Sequence, residues 1–98
     1  MANKLIIRES DDAESLHNLL KDALTKEQRL IESSISRIQN ELNALEIKYG
    51  MTTDQFIEQY SKGKTSDSLD FVDWSGLYHL YQKLLRKHVQ IQDLQIVR

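Results

Sequence analysis

Few side chains in this sequence are of the types that carry out catalysis or bind metals. Its three histidines, His17, His79 and His88, are the candidates for acid–base chemistry, and a nuclease would have to combine them with nearby carboxylates. No two histidines lie four residues apart, and there is no cysteine, no glycine-rich phosphate loop and no serine in a nucleophile-elbow context. The sequence therefore predicts a protein that is not an enzyme and that binds neither a metal nor a cofactor.

A group of carboxylates, Asp67, Asp70 and Asp73, lies around the predicted start of the third helix. Such residues commonly cap a helix or favour the positive end of its dipole. The alternative is a docking patch for a basic protein partner, in which the charges would mainly speed association. The sequence alone leaves both interpretations open.

Composition indicates a single helical domain over residues 1–98. The chain has no proline and only three glycines, and its formal net charge is −2. The short basic segment at Lys83, Arg86 and Lys87 is typical of a solvated helix face, and neither half of the chain has the basic surplus of a nucleic-acid-binding protein. No apolar run is long enough to span a membrane and no secretory signal is evident, so we expect a cytoplasmic protein that binds neither nucleic acid nor membrane.

One stretch, residues 11–48, can be written as a single long helix, because it contains neither glycine nor proline. Its second half repeats apolar residues at heptad spacing, and a similar repeat runs through the third helix. The predicted seam consists of Leu24, Ile31, Ile35, Ile38, Leu42, Leu45, Trp74, Leu77, Tyr81, Leu84 and His88. A helix of this length needs a long partner, either within the chain or on a second copy. We predict a mainly α protein built on a long antiparallel helical hairpin or coiled coil, which forms a homo-oligomer, most simply a dimer.

The first half of this helix carries a wider apolar stripe than a two-helix seam needs, since Leu19 and Leu20 are both apolar. We therefore expect this half to contact more than one neighbour. Gly50 predicts the end of the helix, and Thr52 with Gln55 has the spacing of a capping box.

That capping box predicts a short connecting helix over residues 53–62, ended by Gly63. The third helix is predicted to begin near Asp67 or Asp70, and the second choice would let Leu69 pack on Trp74 as a hydrophobic staple. Gly76 lies inside this helix. We interpret it as allowing the close approach of another backbone rather than as a break.

The two ends of the chain resemble each other, since KLIIR at residues 4–8 and LQIVR at residues 94–98 are both short and β-branched. Both are predicted as short strands that either pair with each other or offer an edge to a partner protein. In the second case a partner would extend them by strand addition, and the predicted partner-binding residues are Leu5, Ile7, Asp70, Asp73 and Ile96.

The motifs LEIKYGMTTDQF (residues 45–56) and DFVDWSGLYHLYQKLL (residues 70–85) resemble a group of small bacterial and archaeal helical proteins on the antitoxin side of toxin–antitoxin pairs. The residues that carry the resemblance are Tyr49, Gly50, Met51, Phe56, Asp70, Phe71, Trp74 and Leu77. The resemblance implies a non-enzymatic protein that binds and neutralises a toxin encoded beside it. The competing hypothesis is a structural coiled-coil protein whose partner is chiefly itself.

Overall fold

The computed structural model describes the backbone of residues 9–97 and the side chains of residues 13–95. The fold is all α, with three helices: α1 (Glu9–Tyr49), α2 (Thr53–Ser61) and α3 (Leu69–Val97). The long helices α1 and α3 pack antiparallel and α2 connects them, which confirms the predicted hairpin. At 1.5 Å per residue the 41 residues of α1 span roughly 62 Å. This length accounts for the longest dimension of the molecule, 62 Å.

The turn after α1 follows the predicted chemistry. Gly50 has a φ of +68°, and the backbone N–H groups of Gly50 and Met51 both donate to the carbonyl of Glu46, at 2.8 and 3.3 Å. Thr52 then caps α2: its side chain accepts from the backbone N–H of Gln55, and the Gln55 side chain accepts from the backbone N–H of Thr52. These reciprocal bonds satisfy donors that a helix start leaves free.

The start of α3 differs from the prediction. Ser68 is the capping residue, because its side-chain oxygen accepts from the backbone N–H of Phe71 at 3.2 Å. Leu69 is consequently the first residue of the helix, and its side chain is 81% exposed. The predicted staple between Leu69 and Trp74 is therefore wrong.

The core lies at the closed end of the hairpin, where the three helices meet. Ile38 and Leu42 of α1, Phe56 of α2 and Trp74 of α3 are buried there together. The rings of Phe56 and Trp74 are stacked with centroids 4.1 Å apart and an angle of 3° between their planes. Burying a large apolar side chain contributes about 1.5–3 kcal/mol, so these aromatic side chains are the main anchor of α2.

A buried hydrogen bond also fixes α2 to α3. The indole N–H of Trp74 donates to Oγ1 of Thr53 at 3.1 Å, and both residues are buried. The backbone N–H of Thr53 in turn donates to a carboxylate oxygen of Glu46 at 2.7 Å. The first residue of α2 is thus bonded to both long helices.

The predicted seam lies between α1 and α3 of one chain. Ile31, Ile38, Leu42 and Trp74 are buried, and the other seam residues are half-buried. The buried members of the seam are thus covered within one chain, and its role in an oligomer stays a prediction.

The predicted C-terminal strand is wrong, because Leu94–Val97 continues α3. No glycine or proline stops the helix before this point, and extending a helix adds one hydrogen bond per residue. The other predicted strand, at residues 4–8, lies outside the described part of the chain. None of the residues that the structure describes is in a strand.

Candidate partner-binding site

Asp70 is held within the chain. One of its carboxylate oxygens accepts from Nζ of Lys48 at 2.7 Å and from the hydroxyl of Tyr49 at 2.5 Å. The hydrogen bond from Lys48, with a further one from Tyr49, lowers the pKa of the Asp70 carboxyl below its ordinary value. The same carboxylate raises the pKa of Tyr49 and that of Lys48. Asp70 therefore joins the end of α1 to the start of α3, and only its remaining surface is open to a partner.

Asp73, one helical turn further on, is exposed and lines a groove of about 300 Å³ between α1 and α3. We call this the acidic-rimmed groove, and its lining residues are Glu41, Val72, Asp73, Gly76, Leu77 and Leu80. The side chains of Val72 and Leu80 are 49% and 42% exposed, whereas Leu77 packs against the core. Among the described residues, neither Glu41 nor Asp73 has a cationic partner within 4.0 Å. The groove is thus lined by apolar side chains together with two carboxylates.

Gly76 is the unusual residue of this groove. The helix continues through it, so it is not a break. A Cβ atom placed on Gly76 would meet nothing within 4 Å, so this chain makes no close approach there. A glycine in a helix interior costs about 1 kcal/mol relative to alanine, and none of the described contacts of the chain offsets that cost.

Val72 and Leu80 were not among the site residues predicted from the sequence. The sequence did contain a pattern that indicates them. Val72 and Leu80 lie four residues before and four residues after Gly76, so both are on one helix face, away from the seam. Of the other predicted partner-binding residues, Leu5 and Ile7 lie outside the described chain. Ile96 is in α3, but its side chain is not among those described.

A second cleft of about 360 Å³ lies between α1, α3 and the start of α2. Most of its lining residues are polar, and among them Nε2 of Gln39 donates to the hydroxyl of Tyr81 at 3.0 Å. Glu46 and Asp54 are the carboxylates at its edge, and no histidine lines it. The two carboxylates share this cleft with the hydroxyl-bearing residues Thr53, Tyr78 and Tyr81.

The three histidines lie apart from one another. His17 is exposed near the start of α1, and His79 lies on α3 with its ring 5.2 Å from that of Tyr78. Nε2 of His88 is 3.0 Å from a carboxylate oxygen of Glu32 across the hairpin. Within residues 13–95 no three histidine or acidic side chains are placed to hold a metal ion.

A third surface lies at the open end of the hairpin, where α3 ends beside the first half of α1. Leu16, Leu19 and Leu20 of α1 and Leu94 of α3 are all more than half exposed. Leu20 and Leu94 also line a groove of about 330 Å³. The described part of the chain leaves these side chains exposed, and the expectation that this half of α1 has a further neighbour stays a prediction.

The fold places the protein in the class of all-α helical hairpins. No protein-family model matches the chain, and no curated protein or solved structure is significantly similar to it. Among the helices described, none is both long and apolar enough to cross a membrane.

Proposed function

We propose that this chain is a non-enzymatic binding protein of the antitoxin type, and that it holds a basic, amphipathic helix of a partner toxin in the acidic-rimmed groove. The observation that carries the proposal is the groove itself. It presents exposed apolar side chains on a face that the chain's own core does not use. Apolar grooves of this kind suit the apolar face of a partner helix.

Charge supports a basic partner. The exposed carboxylates of Glu41 and Asp73 lie at the edge of the groove, and Asp70 and Asp67 are close by in sequence. Lysine or arginine side chains at the margin of a bound helix would meet these carboxylates. Charge complementarity of this kind raises the association rate and selects against acidic partners.

Gly76 supports a helical partner. Helices cross at 8–10 Å between their axes, and the distance depends on the side chains at the contact. A glycine in the lining of the groove lets a second helix approach without displacing a side chain. Gly76 by itself only makes α3 less stable. In the binding site it would allow the partner helix to approach closely.

The test is a matched pair of substitutions on α3. The wild-type chain and each variant are co-expressed with the small protein encoded next to it, and growth rescue and complex affinity are measured. Val72→Arg puts a large cation into the groove, whereas Val89→Arg makes the same change at a site that is 53% exposed and outside it. We expect Val72→Arg to weaken binding by at least about tenfold and Val89→Arg to bind as wild type. Equal binding by both folded variants, or a neighbouring protein without toxicity, would contradict the proposal.

A second substitution separates binding from stability. Gly76→Ala should stabilise the isolated chain by about 0.5–1 kcal/mol, because alanine is the better helix former and nothing obstructs its Cβ. The same methyl group lies in the lining of the groove and should weaken the complex. A variant that is more stable and binds as tightly as wild type would argue against a helix crossing at Gly76.

The non-enzymatic part of the proposal has its own test. A variant with His17, His79 and His88 all replaced by glutamine should neutralise the toxin as wild type does, once its folding is confirmed by circular dichroism. The purified wild-type chain should show no hydrolysis of RNA or DNA. A hydrolytic activity that disappears in the folded histidine variant would make the protein an enzyme instead.

The competing function is a structural protein that assembles chiefly with itself. The observation that favours it is the exposed apolar surface at the open end, which is distinct from the acidic-rimmed groove. The genetic neighbourhood discriminates between the two. A neighbouring toxin that this chain neutralises supports the antitoxin, whereas an isolated gene and a stable self-assembled product support the scaffold.

A further inference from the structure

The pairing of the long helices shows how far α1 extends beyond α3. Contacts across the hairpin join Tyr49 to Asp70, Gln39 to Tyr81 and Glu32 to His88. In each pair the two residue numbers add up to about 120, as expected for two antiparallel helices. By the same sum, Val97 at the end of α3 lies level with residue 23 of α1. The segment 9–22 therefore extends beyond α3 by about 14 residues, or roughly 21 Å. We call it the α1 extension.

Four apolar residues of this region have a spacing that reads the same in both directions, and Leu19, which is 65% exposed, lies beside them without a symmetric apolar counterpart. Ala13, Leu16, Leu20 and Ala23 are separated by three, four and three positions, so they lie on one face of the helix. All four are exposed, Leu16 and Leu20 by 56% and 58%. A stripe with this symmetry is complementary to itself when a second copy runs antiparallel, as a two-fold interface requires.

We propose that the α1 extensions of two chains pair antiparallel about a two-fold axis level with residue 18. Leu16 of one chain then contacts Leu20 of the other, and Ala13 faces Ala23. The two alanines let the helices approach closely at both ends of the contact. The dimer is thus formed by the open end, while the heptad seam stays within each chain.

The charge pattern favours the antiparallel arrangement. The segment 9–14 contains four acidic residues and no basic residue, whereas residues 22–27, which lie level with it in an antiparallel pair about residue 18, contain one basic and two acidic residues. Antiparallel pairing about residue 18 brings these segments to the same level. Parallel pairing would place the two acidic segments side by side, which is repulsive.

The same arrangement covers the exposed end of α3. Because the axis is level with residue 18, residues 9–13 of the second copy lie level with residues 23–27 of the first copy's α1. The last turn of the first copy's α3 ends at this level. Leu94, which is 59% exposed, is in that last turn. Leu94 and Leu20 already line one groove, so the proposed contact is continuous with an apolar surface of the hairpin.

Cysteine cross-linking tests the register directly, because the chain contains no cysteine of its own. Full-length Ala13→Cys and Ala23→Cys chains, one carrying a tag that changes its mass, are mixed and oxidised. We expect a disulfide between the two different chains and none within either population alone. Identical positions are separated by roughly 15 Å along the axis in this register, which is beyond disulfide distance.

Ala44→Cys is the matched control, since Ala44 is also an exposed alanine of α1 but lies beside α3. Mixed with Ala13→Cys it should give no cross-link. Cross-links between identical positions would overturn the antiparallel register. A monomeric mass by light scattering, together with no cross-link in any mixture, would overturn the dimer.

A second pair of variants measures the apolar contact. Leu20→Asp should raise the dimer dissociation constant at least about tenfold, because it buries a carboxylate without a partner. Leu30→Asp changes an equally exposed leucine outside the contact and should leave the dimer intact. Toxin binding by Leu20→Asp and dimerisation by Val72→Arg should both persist. A failure of this proposal is therefore distinguishable from a failure of the proposed function.

Discussion

Replacing Thr53 by valine should destabilise the protein by about 2 kcal/mol. Valine has nearly the shape of threonine but removes the only described acceptor of the Trp74 indole N–H, which donates to the Thr53 hydroxyl at 3.1 Å. Trp74 is fully buried, so water cannot replace that acceptor without the core opening. A buried donor left without an acceptor costs about 1–3 kcal/mol. This is a large share of the roughly 5–10 kcal/mol that stabilises a small domain.

Urea unfolding followed by circular dichroism measures the change, and the fluorescence of Trp74, the only tryptophan, reports on the same site. Thr53→Ser is the control: it keeps the hydroxyl and loses one methyl group, at a cost of about 1 kcal/mol or less. In a Trp74→Phe background no indole N–H exists, so Thr53→Val should then cost less than about 0.5 kcal/mol. An equal loss of free energy on Thr53→Val in both backgrounds would show that the indole N–H is not the cause of the loss.

Two further predictions concern charge and backbone. The pKa of the Asp70 carboxyl is lowered in the folded chain, so the carboxylate contributes to the free energy of unfolding above about pH 4 and stops contributing as the pH falls through the lowered pKa. The difference in stability between wild type and Asp70→Asn, measured in urea titrations, should therefore shrink between about pH 7 and about pH 3. The pKa of Tyr49 is raised instead, so its hydroxyl contributes to the free energy of unfolding at lower pH and stops contributing as the pH rises above about 10. Gly50→Ala should lower the free energy of unfolding by about 1–2 kcal/mol, because alanine is strained at a φ of +68°. Gly76→Ala should raise it. Thermal unfolding of both variants shows whether the two changes have opposite signs.

Local signals in the sequence were sufficient to predict the turn between α1 and α2. A glycine after an apolar stripe, followed by threonine and glutamine at capping-box spacing, satisfies the free backbone groups of both helix ends using residues close in sequence. The cap of α3 was harder to identify. Asp67, Ser68 and Asp70 all offer a suitable oxygen within four residues, and only the backbone geometry selects Ser68.

Long-range partners could not be read from the sequence. The bonds from Lys48 and Tyr49 to Asp70 depend on how the two long helices are aligned, and heptad spacing alone does not set that alignment. The same limit applies to the seam. Its spacing is equally compatible with a hairpin and with a dimer, and the structure places it within one chain. The β-branched residues after Leu94 suggested a strand, but the helix before them continues without a stop signal.

The alignment of α1 and α3 also has a consequence for the order in which the chain folds. Near the turn the hydrogen-bonded pair Tyr49 and Asp70 is separated by 21 residues, whereas Gln28 and the carbonyl of His88, towards the open end, are separated by 60. Closing the longer loop first would cost about 0.9 kcal/mol more in chain entropy. We therefore expect the helices to come together first beside α2 and then to join progressively outward. In the native state we expect the reverse order: amide hydrogens near Leu94 should exchange with solvent after a few pairs separate, and those around Trp74 only when the whole chain unfolds.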